Sequence, residues 1–313
     1  MEKEVVSNSS FQKTKIIERK QLLTNKVKTY LFALSAVLFW STSATAFKLS
    51  LGGLKITYLL FFASLSSTLV LLLISKNKFL SEILPIIKGK NIKNSIALGF
   101  LNPFLYYLVL FKAYSLLPAQ EAQPLNYTWP IVISIFSVIF LKQKLALNTI
   151  VGLVLAFIGV IVIATRGNIL EFHFHDITGV SLAVGSSLAW ALFWILNLLD
   201  KREESVKLFS SFFFGTVLTG IYILLFDSLE PFDIKYLFGA VYIGLFEMGI
   251  TFFLWMKALS LSANKAKTAT LAYLAPFISL LFISLILGED LYTSSITGLV
   301  LIVGGILYQQ TSK

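Results

Sequence analysis

The 313-residue chain contains no cysteine and only two histidines. Without cysteine there is no disulfide, no thiol nucleophile and no thiolate metal site. His173 and His175 of the HFH stretch fall on one side of an extended loop, and two ligands in a solvated loop make a poor metal site. Charge is scarce as well. Asp, Glu, Lys and Arg make up 13% of the chain, about half the share of a soluble domain. A phosphate-binding loop, a complete catalytic triad and a metal-binding box are all missing from the sequence. These absences exclude nucleotide hydrolysis by this chain alone and imply no cofactor.

Apolar residues fill the gap: 57% of the chain is hydrophobic and the mean hydropathy is +0.82. A helix crossing a bilayer needs about 20 mostly apolar residues. Ten such runs occur, at 30–50, 54–74, 94–112, 118–140, 147–165, 177–198, 208–226, 235–256, 267–287 and 293–310. They are continuous rather than alternating, which excludes a β-barrel. The expected class is an all-α integral membrane protein with ten transmembrane helices and no soluble domain. Residues 1–29 are polar and basic, too long and too charged for the leading region of a signal peptide. They read as a cytoplasmic tail lying against the lipid bilayer.

Charge sets the orientation. With the N-terminus inside, Lys and Arg gather on the inner side, in the tail, at 75–93, 142–144, 201–207 and 257–267, and at Lys313. Glu171, Asp176, Asp227, Glu230, Asp233, Glu289 and Asp290 gather outside. The positive-inside rule therefore places both termini inside. The net charge of +10 is a topology signal, and no nucleic acid is implied.

An internal repeat runs through the chain. GFLNPFLYYLVLFKAYSL (99–116) aligns with GLFEMGITFFLWMKALSL (244–261), so that Gly99, Lys112, Ala113, Ser115 and Leu116 meet identical partners. LNYTWP (125–130) falls on LAYLAP (271–276), GLVLAFIG (152–159) on GLVLIVGG (298–305), and Trp40 on Trp190. The repeats are 30–165 and 177–310, five helices each. Five is odd, so the second half enters the membrane upside down. The equivalent turns switch sign accordingly: LKQKL inside becomes LGEDL outside, and Glu121 is matched by Lys267. Inverted repeats place a substrate site between the halves near the midplane.

Residues with chemical potential sit at that depth. Pro130 and Pro276 each remove a helix hydrogen bond and push away the carbonyls of Asn126 and Ala272, kinking the fourth and ninth helices. Glu247 lies near the middle of its run, at the repeat position of Asn102. An intramembrane carboxyl is costly and faces a cavity, a proton path or a counter-charge. Glu247 is the candidate for proton coupling or for pairing with a substrate ammonium group. The plain alternative is a hydrogen bond across helices, to Asn102 itself. Trp40, Tyr106, Tyr107, Tyr127, Trp129, Trp190, Trp194, Trp255 and Tyr273 supply aromatic surface. Trp190, Trp194 and Asn197 share a helix face, and Ser41, Thr42 and Ser43 follow Trp40. Such a lining suits a small organic solute with an apolar body and polar head. The alternative for any one ring is the interfacial belt. Gly152, Gly159, Gly298 and Gly305 mark faces for close helix packing.

The layout, with LGEDLYTSSITGLVLIVGGIL after a proline-bearing helix, resembles the drug/metabolite transporter superfamily and, within it, the EamA-type families. NYTWP followed by LKQK resembles the pattern of the bacterial aromatic amino acid exporters, and VLFWST is similar to their first helix. The second half, GLFEMGITFFLW with Glu247, is similar to other family members instead. The resemblance implies a bacterial cytoplasmic-membrane carrier that moves amino acids or similar metabolites outward through a central cavity. Asn126, Tyr127, Trp129, Pro130, Trp40, Ser41 and Thr42 match the exporter motifs. The expectation is a secondary transporter and not an enzyme. The alternatives are an importer or exchanger of a charged or nucleotide-like metabolite, drug efflux, a lipid-acting enzyme, or a membrane protein without transport activity.

Overall fold

The computed structural model describes residues 2–87, 89, 91–141, 147–169, 176–262 and 268–309. The HFH stretch, Lys142 and Lys144 of LKQKL, Glu171, Lys267 and Lys313 lie outside these residues. Among the described residues all regular structure is helical, as a lipid environment requires of a chain that must satisfy its own backbone.

Helix α1 spans Glu2–Leu51 without a break, so the basic tail expected to end at residue 29 continues directly into the first apolar run. No Gly or Pro occurs in that stretch to interrupt it. There follow α2 (Ile56–Ile74), α3 (Ile92–Leu116), α4 (Ala119–Asn126), α5 (Trp129–Leu141), α6 (Leu147–Ala164), α7 (Ile177–Leu199), α8 (Glu204–Phe226), α9 (Lys235–Leu261), α10 (Thr270–Leu287) and α11 (Thr293–Gln309). Among the described residues seven helices are long and apolar enough to cross a membrane: Asn25–Leu51 of α1, α2, α3, Ile177–Asn197 of α7, α8, α9 and α10. Ile150–Ala164 and α11 are shorter apolar helices.

The run at 118–140 is two helices, α4 and α5, parted by a turn at Tyr127 and Thr128. Pro130 accounts for the break, because its ring displaces the carbonyl of Asn126 and it cannot donate. At the corresponding place in α10, Thr270–Tyr273 is a 3₁₀ turn ahead of Pro276. A second pair of irregularities coincides with the internal repeat. Phe100–Leu105 of α3 and Ile243–Gly249 of α9 are π-helical, and they hold Asn102 and Glu247. Asn102 itself is extended, at φ −148° and ψ 119°.

Glycines fix how the helices meet. A Cβ on Gly152 would lie 2.5 Å from the carbonyl oxygen of Gly305, and one on Gly159 would lie 2.6 Å from that of Gly298. As α6 ascends in sequence its partners on α11 descend, so the two helices run antiparallel in backbone contact. Gly99 of α3 abuts the Ser211 carbonyl of α8, where a Cβ would come within 2.6 Å. Its repeat partner Gly244, on α9, abuts the Ala63 carbonyl of α2. Thr68 of α2 and Thr216 of α8 join their hydroxyls at 3.1 Å. Each repeat thus leans on the second helix of the other. Helix α1 packs on α9 and α10, and α3 and α5 pack on α7, leaving room between these two groups.

Candidate functional site

That room is a cavity of about 320 Å³. From α1 come Trp40, Ser43, Ala44 and Phe47, spaced i, i+3, i+4 and i+7 so that they form one helix face. The α3 wall is Tyr106, Leu110 and Tyr114, at successive turns. Gln123, Asn126 and Tyr127 from the α4 side, with Trp129 and Ile133 from α5, line the kink. Trp190 and Trp194 of α7 stand beside the α3 wall, and Glu247, Trp255 and Leu259 of α9, with Ala269, Ala272 and Tyr273 around the start of α10, complete the lining next to α1. All five tryptophans of the chain line this one cavity.

The rings form a continuous wall. Tyr106 lies 4.7 Å from Trp190 between centroids, Trp190 5.6 Å from Phe252, Phe252 6.2 Å from Trp40, and Trp40 5.2 Å from Trp255. Aromatic pairs at such separations add stabilisation beyond their buried area.

Glu247 is half-buried at the cavity wall. Ser43 Oγ donates to its Oε2 at 2.5 Å and Tyr107 OH to its Oε1 at 3.1 Å. The alternative partner, Asn102, is not bonded to it among the described residues. Asn102 is fully buried away from the cavity, and neither end of its amide has a hydrogen-bond partner among the described residues. Its extended backbone within a π-helical segment turns it off the face that Tyr106 and Leu110 present. Asn126 is fixed at both ends, with Tyr106 OH donating to Oδ1 at 3.2 Å and Nδ2 donating to Ser186 Oγ at 2.8 Å.

Other sequence-based candidates lie elsewhere. Ser41 is buried and donates to the Val37 carbonyl at 2.7 Å. Thr42 bonds the Phe39 carbonyl and the Tyr242 hydroxyl, each at 2.7 Å. Consecutive helical residues point about 100° apart, so of the Ser41, Thr42, Ser43 triplet only Ser43 shares the face of Trp40. Asn197 is buried outside the lining, its Nδ2 without a partner among the described residues. Residues missed as site members are Ser43, Gln123, Tyr114 and Phe47. The i, i+3, i+4 rule applied from Trp40 and Tyr127 finds Ser43 and Gln123.

Above Gln123 and Tyr114 the cavity meets a polar network. Glu121, 2% exposed, accepts from Arg166 Nε at 2.8 Å, and the Arg166 guanidinium lies 4.9 Å from the centroid of the Tyr292 ring. Glu289 accepts from the backbone N–H groups of Ala119 at 2.9 Å and Gln120 at 3.2 Å, capping α4 with a negative charge at its positive end. Gln120 Nε2 donates to the Asp290 carbonyl at 2.8 Å and its Oε1 accepts from Tyr292 N at 2.7 Å. Lys48 donates to the carbonyls of Tyr114 and Leu117 at 2.9 and 3.0 Å. This network ties the N-terminus of α4 to the loop between α10 and α11. Among the described residues no three His, Asp or Glu side chains group as metal ligands do.

This aromatic cavity with one carboxyl is set among helices from the two similar halves of the chain. The model of the EamA-like transporter family matches residues 27–165 and again 177–308. The chain belongs to the EamA-like transporter family. It is a multi-pass membrane transporter of that family. Among its relatives is an uncharacterized transporter of Archaeoglobus fulgidus, 26% identical over 288 residues, covering 90% of this chain and 98% of the relative. The uncharacterized transporters YvbV and YoaV of Bacillus subtilis are 28% and 23% identical, covering 69% and 90% of this chain and 70% and 96% of their own lengths. A solved crystal structure matches with a TM-score of 0.62 at 20% identity, covering 90% of this chain and 95% of the other; that likeness concerns the fold alone.

Proposed function

We propose that this EamA-like chain is a secondary transporter exporting amino acids or related small organic metabolites across a bacterial cytoplasmic membrane. The observation that carries this reading is the cavity wall itself: five tryptophans and a half-buried Glu247 facing one space between the halves. The halves, 30–165 and 177–310, form two inverted five-helix repeats. The antiparallel contact of α6 with α11 and the reciprocal packing of Gly99 and Gly244 support that arrangement. With both termini inside, the Glu121–Arg166 and Glu289 network lies on the outer side, so this conformer is closed outward. Its cavity runs from Gln123, beneath the network, toward Leu259 and Ala269 at the inner ends of α9 and α10. Rocking of one repeat against the other alternates access. Glu247, held by Ser43 and Tyr107, is the group through which protons are coupled.

The test is counterflow in liposomes. Purified protein should exchange a labelled neutral or aromatic amino acid, and Glu247→Gln should change the response of that exchange to pH. Silence across a broad amino acid panel removes the substrate assignment. An unchanged pH response in the variant removes the coupling role.

A further inference from the structure

Among the described residues the cavity lining holds one carboxyl, Glu247. Among the described residues its lining contains no Lys, Arg or His. Ser43 spends its hydroxyl on Glu247, and Asn126 spends both ends of its amide on Tyr106 and Ser186. The Glu247 carboxyl lines this space, and Gln123, 5% exposed, lines it with an Oε1 that is itself buried and, among the described residues, has no hydrogen-bond partner. The cations nearest in sequence to the lining are turned elsewhere: Lys48 donates to the carbonyls of Tyr114 and Leu117, and Lys112 and Lys257 are exposed and outside the lining.

We infer that the cavity recognises its substrate by an ammonium group and offers a free carboxylate no cationic partner, so that its preferred solutes are organic amines with an aromatic or branched apolar body. This rests on the reading of the cavity as the transport site. An entering ammonium finds the Glu247 carboxyl and the faces of Trp and Tyr rings, which attract cations through their quadrupoles. An entering carboxylate sheds its water, meets no cation to replace it and faces Glu247 as a like charge. Within the class of amino-acid-like metabolites, the decarboxylated, amidated or esterified members therefore bind best. The apolar body is accommodated by the ring wall from Tyr106 through Trp190 to Trp40 and Trp255.

Because every tryptophan lines the cavity, intrinsic fluorescence of the full chain in nanodiscs reports directly on its occupancy. The probes are 2-phenylethylamine, phenylalanine amide, phenylalanine and 3-phenylpropionate, none of which absorbs where tryptophan is excited selectively. The amine and the amide should shift the fluorescence saturably. Phenylalanine should need at least about tenfold more, the loss expected when one charged group goes unpaired, and phenylpropionate should give no response. Glu247→Gln should weaken 2-phenylethylamine by about tenfold or more; if that variant does not fold, the wild-type series decides alone. Phenylalanine or phenylpropionate binding as tightly as the amine, or silence across the series, overturns the inference. Counterflow of the same compounds separates it from the transport reading. An amine that binds without being exchanged contradicts transport and leaves the selectivity standing. A zwitterion exchanged as well as the amine contradicts the selectivity and leaves transport standing.

Discussion

Ser43 and Glu247, 204 residues apart in sequence, meet with Ser43 Oγ 2.5 Å from Glu247 Oε2. This contact joins α1 of the first repeat to α9 of the second at the cavity wall. Tyr107 completes the hold on the carboxyl from α3. Hydrogen bonds to a charged group are worth roughly 1.5–3 kcal/mol. Ser43→Ala and Tyr107→Phe should each lower the counterflow rate by about tenfold while leaving the melting temperature within a few degrees. Rates measured beside Glu247→Gln check this, and rates unchanged in both variants contradict it.

The outer network should act as a latch. Arg166→Leu takes the guanidinium from a carboxyl that is 2% exposed. Breaking a fully buried pair costs about 3–5 kcal/mol, and the partial exposure of Arg166 places this case at or below the low end. The outward-closed conformer should lose stability relative to its alternative. Gln123→Cys, in a chain that has no cysteine of its own, should then label faster with an impermeant thiol reagent added outside. Glu289→Gln, which removes the charge from the α4 cap, should have the same effect at about 1 kcal/mol.

The glycine contact of α6 and α11 should tolerate no side chain. Gly305→Leu drives a branched group into the Gly152 carbonyl, which a bare Cβ would already approach to 2.5 Å. Overpacking of this kind costs typically about 1–3 kcal/mol, and backbone against backbone leaves nothing flexible to yield. A clear drop in melting temperature is expected, whereas Gly304→Ala, whose Cβ would meet nothing within 4 Å among the described residues, should be neutral. Thermal melts in detergent compare the two.

Acid should loosen the turn between α7 and α8. Burial there works against an ionised Asp200, but hydrogen bonds from the Arg202 side chain and backbone outweigh it and hold the carboxyl below its usual range. Arg202 reaches it through Nε at 3.0 and 2.9 Å and through Nη2 at 2.5 Å. A carboxyl lowered in the folded state contributes stability above its unfolded value near 3.9, and that contribution is lost as pH falls through the folded value. Asp200→Asn should therefore cost roughly 1–3 kcal/mol at neutral pH and flatten the acid limb of the stability profile. Melting temperatures from pH 7 down to pH 3 test the sign.

Much of this architecture was legible in the sequence because a bilayer leaves so few options. Run length located most of the apolar helices, and Pro130 and Pro276 marked the irregular backbone at 127–128 and 270–273, whereas the two π-helical segments and the Gly99 and Gly244 contacts emerged only from the structure. Depth in the membrane singled out Glu247. Rotation about the helix axis was harder to read. Asn102 matches Glu247 by position, yet its own segment is locally extended and it turns into protein. Ser41 and Thr42 follow Trp40 but point elsewhere, and Ser43, one residue on, touches Glu247. The Glu289 cap on α4 depends on two loops more than a hundred residues apart, for which no local pattern exists.

The central claim is that solute passes through the space between the repeats, and the absence of native cysteine makes it directly measurable. Ala269 lines the cavity and is half-buried. In liposomes, counterflow by Ala269→Cys should be abolished by a small thiol reagent, slowed in that inhibition by saturating substrate, and untouched by the reagent in the cysteine-free parent. Inhibition of the variant alone, relieved by substrate, is the result this account predicts. Counterflow that continues undiminished with the introduced thiol fully modified places the pathway elsewhere and contradicts it.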